Sequence, residues 1–205
     1  MLAEGSKFAL IMGLALAAAP ELARAEDGAS APRGLLTPLG EYALLGGGVS
    51  DYTDDAVKDR FGVGGSWDLR LGIGSRFYVG GEVAYVGSAR GGERDGADLL
   101  SNGAEAVVRV QYPYATGQWL VEPFAFGGIG WDRVTLRDAA PGLKDEDDVG
   151  VVPVGAGLTV GYGRFLLDAR FTYRASFDED LALAVGEEPA DLEQWGVSAA
   201  LGYEF

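Results

Sequence analysis

The sequence predicts an all-β fold, an eight-stranded antiparallel up-and-down transmembrane β-barrel that follows a cleaved signal peptide. Three observations predict it. Apolar and polar residues alternate with period two in eight successive stretches. The connections between these stretches are alternately short and long. The apolar set is flanked by aromatic residues, whereas the opposite set holds Asp, Glu and Arg among many glycines.

Residues 1–25 read as the signal peptide. Lys7 supplies positive charge, Phe8 to Ala19 is a run of about a dozen apolar residues, and Ala23-Arg24-Ala25 is a small-x-small cleavage site. The run is too short to span a membrane as a helix. Gly13 and Pro20 argue against an amphipathic anchor helix, although Glu4 is unusual in a leader. No Cys follows the run, which excludes a lipoprotein signal. Residues 26–39, rich in Gly, Ala, Ser and Pro, form a flexible lead-in. Residues 40–205 are then the barrel domain.

Composition removes several function classes. Without Cys there is no disulfide framework, thiol nucleophile or thiolate metal site. Without His the commonest general base and metal ligand are missing. The net charge of −15 repels nucleic acid, so no such partner is expected. Glycine, 33 of 205 residues, is abundant but not in collagen-like triplets.

Each strand has its own signature. The first, about Glu41 to Tyr52, is the least legible because Gly46-Gly47-Gly48 hides its phase. The second, about Gly62 to Leu71, puts Val63, Trp67, Leu69 and Leu71 on one face and Gly64, Ser66, Asp68 and Arg70 on the other. In the third, about Phe77 to Gly87, Phe77, Val79, Val83 and Tyr85 face outward and Tyr78, Gly80, Glu82 and Ala84 inward. The fourth, about Asn102 to Tyr112, sets Ala104, Ala106, Val108, Val110 and Tyr112 against Gly103, Glu105, Val107, Arg109 and Gln111.

The fifth, about Gln118 to Val134, presents Trp119, Val121, Pro123, Ala125, Ile129 and Trp131 outward, with Glu122 opposite. The sixth, about Gly150 to Val160, turns Val152, Val154, Ala156, Leu158 and Val160 outward and Gly155, Gly157 and Thr159 inward. In the seventh, about Arg164 to Arg174, Phe165, Leu167, Ala169, Phe171 and Tyr173 alternate with Arg164, Leu166, Asp168, Arg170, Thr172 and Arg174. The eighth, Gln194 to Phe205, alternates without a break. Trp195, Val197, Ala199, Leu201, Tyr203 and Phe205 share its dry face.

The tight connections are Gly72 to Arg76, Pro113 to Gly117 and Gly161 to Gly163. The long ones lie near Thr53 to Arg60, Ser88 to Ser101, Thr135 to Val149 and Ala175 to Leu192. A soluble eight-stranded barrel of the lipocalin kind would bury its apolar set and expose its charges. The pattern here fits the inverse, an apolar exterior stable in lipid, where no open sheet edge is tolerated.

The C-terminal strand carries a resemblance. A chain ending on an alternating, aromatic-flanked strand, with Leu201, Tyr203 and Phe205 on its dry face and Phe last, resembles the small bacterial outer-membrane β-barrel family. The membrane domain of outer-membrane protein A is one example. The resemblance covers about Gly40 to Phe205 and implies several things. The chain is exported to the outer membrane, and its last strand is the signal read by the barrel assembly machinery. The long loops are extracellular, the lead-in periplasmic, and lipid and lipopolysaccharide are the surroundings of a monomer.

An eight-stranded barrel is just wide enough to be filled by side chains. The inward set includes Asp68, Arg70, Glu82, Glu105, Arg109, Glu122, Asp168, Arg170 and Arg174, with Glu204 at the last strand's end. Buried charges must be paired or solvated. A turn around Ala115 and Thr116 brings Arg109 opposite Glu122 as an ion pair. Such a network either plugs the lumen or gates it by an Arg exchanging carboxylates.

The loop candidates are Lys144-Asp145-Glu146-Asp147-Asp148, Asp178-Glu179-Asp180 and Glu187-Glu188. Their spacing fails an EF-hand, since position twelve from Asp145 is Ala156. They read as solvated loops, with divalent bridging to lipopolysaccharide phosphates as the alternative. Gly127-Gly128-Ile129-Gly130 and Gly62-Val63-Gly64-Gly65 open no helix and lack the Lys-Ser/Thr of a phosphate loop. Small outer-membrane enzymes that cleave or transfer lipid chains rely on a His beside a Ser, so their chemistry has no residue to rest on. No cofactor or metal is expected. The expectation is a non-enzymatic structural or surface-interaction barrel, plugged by charge and presenting acidic loops. The alternative is a narrow gated channel for ions or small solutes, and adhesion through the loops is a third reading.

Overall fold

The computed structural model describes residues 40–53, 58, 62–91, 98–137, 146–177 and 193–205. The chain divides into two units: Met1–Arg33, which lies outside the described residues, and Gly34–Phe205, which contains the barrel. The expected signal peptide and most of the lead-in therefore lie outside the described residues, as do Asp178-Glu179-Asp180 and Glu187-Glu188.

Nine strand segments build the sheet: β1 (Tyr42–Tyr52), β2 (Gly64–Ile73), β3 (Val79–Gly91), β4 (Asp98–Gln111), β5 (Tyr114–Thr116), β6 (Trp119–Arg137), β7 (Glu146–Tyr162), β8 (Phe165–Phe177) and β9 (Gln194–Glu204). All pairings are antiparallel between chain neighbours, β9 returns to β1, and β4 pairs with β6, so the sheet closes. Segment β5 is β4 continued in the same register past Pro113, which has no N–H to give the ladder. The barrel thus has eight strands, the number expected.

Its stagger follows from the register. Leu120 on β6 pairs with Gly161, then in turn Leu166, Gly202, Leu44, Arg70, Ala84 and Glu105 lead round to Gly130, back on β6. One circuit therefore climbs ten residues along β6. Eight strands with that shear tilt by roughly 40° from the barrel axis.

The faces are inverted relative to a soluble protein. Leu45, Phe165 and Leu201 are 68–70% exposed on the outer wall, while Glu204, Asp168 and Arg109 are at most 1% exposed inside. Two aromatic belts bound the apolar wall. At the turn end stand Phe77, Tyr112, Trp119, Tyr162, Phe165 and Phe205, and toward the loop end Trp67, Tyr85 and Trp131. On β6, Trp119 and Trp131 lie twelve residues apart. At ~3.3 Å per residue and ~40° tilt that is about 30 Å, the thickness of a bilayer's hydrocarbon core.

Several boundaries differ from the sequence reading. Strands β3, β4, β6, β7 and β8 all run further toward the loop end, so both ends of the expected connections at Ser88–Ser101 and Thr135–Val149 are paired strand. Cross-strand hydrogen bonding continues wherever the partner continues, and polar composition alone does not end it. Glu146 to Asp148 are accordingly β7 residues rather than solvated loop, and the exposed Asp148 grips its register partner Arg133 at 2.9 and 3.2 Å. The tight turn before β6 also sits two residues later than expected, at Gly117-Gln118. Gly117 (φ 61°) and Gly163 (φ 63°) each supply the positive φ that begins a two-residue hairpin turn.

Candidate functional site: the charged lumen

The inward half of each strand's alternation delivers long polar side chains to one narrow space, so partners come from strands far apart in sequence. At mid-height the network centres on Glu82 of β3. Its Oε1 accepts Arg109 Nη1 at 2.7 Å and the Tyr42 hydroxyl at 2.8 Å, and its Oε2 accepts Arg170 Nη1 at 2.9 Å. Arg170 Nε also donates to Asp168 Oδ1 at 2.8 Å. Arg70 reaches Asp168 at 3.3 Å, Asp68 at 3.0 Å and the Ser198 hydroxyl at 3.1 Å. Thr159 donates to Asp168 Oδ2 (2.9 Å) and accepts from Arg109 Nη2 (3.2 Å).

Two inward aromatics complete this layer. The Arg109 guanidinium carbon lies 3.8 Å from the Phe124 ring centroid, and that of Arg170 lies 5.0 Å from Phe124 and 5.2 Å from Phe126. The cations are all arginines. A planar fork can hold two carboxylates and stack on a ring at once, which a lysine ammonium cannot. Below them, Leu44, Leu120, Leu166 and Ala200 pack with Tyr42 into an apolar floor.

At the turn end, Arg76 clamps the end of the last strand. Its Nε and Nη2 hold Glu204 at 3.2–3.3 Å, Nη2 also reaches the Gly163 carbonyl at 3.3 Å, and its backbone N–H donates to Glu122 at 3.1 Å. Arg76 adopts φ 69°, the one positive φ among the described non-glycine residues. Toward the loop end, Arg174 meets Glu105 at 2.5 Å. Beside them a polar cavity of about 30 Å³ is lined by Ser50, Asp68, Ser101, Asp132, Thr172 and Gln194, among others. Arg90 lies over the Tyr52 ring at 4.0 Å and donates to Ser50 and Gln194.

The structure thus brings Asp68, Arg70, Glu82, Arg109, Asp168 and Arg170 into one cluster, sets Glu105 and Arg174 apart as a second pair, and places Glu122 at the cluster's lower edge. Arg109 and Glu122 form the expected ion pair, but not as register partners. Arg109 is opposite Phe126, its nearest carboxylate is Glu82, and Glu122 is 3.5 Å away. The turn's two-residue shift moved the register by four. Sequence reasoning missed Tyr42, Arg76, Arg90, Asp132, Phe124 and Phe126. Asp132, Phe124 and Phe126 share the parity of Glu122 on β6, so that phase alone would have found them. Of the C-terminal residues, Leu201 and Phe205 face outward, Tyr203 packs edge-on against Phe165 and Phe205, and the Phe205 N–H donates to the Glu41 carbonyl.

A closed eight-stranded barrel with an apolar belt, aromatic rims and a charged, filled lumen defines the class: a small outer-membrane-type transmembrane β-barrel. The fold is similar to that of Neisserial surface protein A, with 18% identity and a TM-score of 0.51 over 81% of this chain and 97% of that one. It also aligns with Ail, the attachment invasion locus protein of Yersinia pestis (16% identity, TM-score 0.49, 80% and 99% covered). A third alignment is with the N-terminal β-barrel domain of Pseudomonas aeruginosa OprF (14% identity, TM-score 0.47, 82% and 98% covered). No protein-family model matches the sequence, and no curated protein matches it.

Proposed function

We propose that this chain is a non-enzymatic structural or surface-interaction barrel of the bacterial outer membrane, with a lumen sealed by charge. The observation that carries this reading is the bridge at Glu82. One carboxylate binds Arg109 and Arg170, both arginines stack on Phe124, and Leu44, Leu120 and Leu166 fill the space beneath. Such packing fills the lumen with side chains at mid-height among the described residues, as an eight-stranded barrel implies. The last strand, with Leu201, Tyr203 and Phe205, serves as the assembly signal, and lipid and lipopolysaccharide surround a monomer.

The test is conductance of the purified protein in planar bilayers, and silence is expected. Steady unitary currents would favour the alternative, a gated channel. One observation gives that alternative its form: Arg109 lies within 3.9 Å of Glu82, Glu122 and Asp168, so it has other carboxylates to move to.

A further inference from the structure

The outer wall is not uniformly tall. Two register rows cross β2, β3, β4 and β6 on the lipid-facing side: Leu69–Tyr85–Ala104–Trp131, and one step lower Leu71–Val83–Ala106–Ile129. In both rows the β4 residue is alanine and its neighbours are large. The alanines stack along β4, so a trough runs down that strand between walls from β3 and β6, with an open volume of about 610 Å³. Val108, 59% exposed, is the next outward side chain of β4 below Ala106.

The upper end is polar. One row above, β4 carries Asn102, which accepts the Tyr85 hydroxyl at 2.8 Å and lies opposite Arg133 of β6. The half-exposed Arg133 guanidinium is 5.5 Å from the Trp131 ring centroid, so it stands just beyond the loop-end aromatic belt, at headgroup level. Asn102 above the two alanines and Val108 below them lie six residues apart along the strand. At ~3.3 Å each and ~40° tilt that interval is about 15 Å, half the ~30 Å hydrocarbon core, so the alanines lie within the leaflet at the loop end.

We infer that this trough holds one acyl chain of a phosphate-bearing lipid of the outer leaflet, with the headgroup seated over Asn102 and Arg133. The inference rests on the outer-membrane reading, which makes the loop end the outer leaflet. In a bilayer the driving force for such a fit is packing rather than escape from water. A chain laid along Ala104 and Ala106 makes contacts that a flat wall would not give it, and a depression left unfilled forfeits them. The Arg133 guanidinium at the rim, which also holds Asp148 through Nε and Nη2, is suited to a phosphate oxygen.

The experiment is native mass spectrometry of the protein extracted from its own membrane in a mild detergent, beside the Ala104→Leu/Ala106→Leu double variant. Both alanines face lipid, so larger apolar side chains fill the trough without touching the lumen. Wild type is expected to retain one phosphate-bearing lipid per barrel, and the double variant about ten-fold less. Equal retention by both, or retention by neither, would overturn the proposal. So would a wild-type dimer that the double variant abolishes, because a second copy would then be the occupant. If the double variant fails to fold, Ala106→Leu is read in the same way. A gel mobility that does not shift on boiling would instead sink the membrane-barrel reading beneath the proposal.

Discussion

Glu82 and Arg109, on adjacent strands β3 and β4, meet at 2.7 Å with side chains that are 1% and 2% exposed. Burying either charge alone is expensive, and the pair is held by further contacts: Arg170 and Tyr42 also bind Glu82, and Thr159 also accepts from Arg109. Glu82→Gln would leave two guanidiniums facing each other over Phe124 without the carboxylate between them. The expected cost is about 3–5 kcal/mol, the range for breaking a buried pair. Urea unfolding in detergent, followed by loss of the compact gel band, measures it. A change near zero would mean that the pair does not hold the lumen together.

Arg76 sets side-chain and backbone demands against each other. Its left-handed backbone favours glycine by about 1 kcal/mol, yet its guanidinium ties Glu204 to the Gly163 turn. Arg76→Ala keeps the strain and loses the clamp, whereas Arg76→Gly loses the clamp but relieves the strain. Both variants should be less stable than wild type, with Ala worse than Gly by roughly 1 kcal/mol in the same unfolding assay. The reverse order would show that the φ at this turn is not strained.

The inside–outside assignment predicts an asymmetry. Leu45, 68% exposed on the outer wall, lies between the two aromatic belts. Leu45→Arg should cost about 2–4 kcal/mol in a bilayer. Thr172→Ser, on the polar lumen face, should be nearly silent. Refolding yields into lipid vesicles across a urea series give both values, and equal effects would refute the facing.

Glycines on the two faces should respond differently to a methyl group. A Cβ at Gly128 would fall 2.0 Å from the Ala106 carbonyl oxygen, a backbone atom that cannot step aside, whereas a Cβ at Gly65 meets nothing within 4 Å. Gly128→Ala should therefore cost about 1–3 kcal/mol as an overpacked site, and Gly65→Ala should be neutral or slightly stabilising. Thermal loss of heat-modifiability would rank the two.

The sequence by itself determined the strand number, the faces of seven strands and the polar character of the interior, because period two is a local property of the chain. Side chains at i and i+2 share a face whatever the strand pairs with. That is why Asp68, Glu82, Arg109 and Arg170 could be placed in the lumen from alternation alone. In β1 the three consecutive glycines carried no phase, so Tyr42 was invisible until its hydroxyl met Glu82.

Only the tertiary structure decided who meets whom. Arg70 and Asp168 are 98 residues apart, and Arg170 and Glu82 are 88 apart. Their meeting depends on closure of β9 onto β1 and on a ten-residue stagger to which every turn contributes. The turn before β6 lies two residues later than alternation suggests, so Arg109 stands opposite Phe126 and its long side chain reaches Glu82 more closely than Glu122. Register is set by turn geometry and shear summed around the barrel, and no single strand's alternation contains that sum.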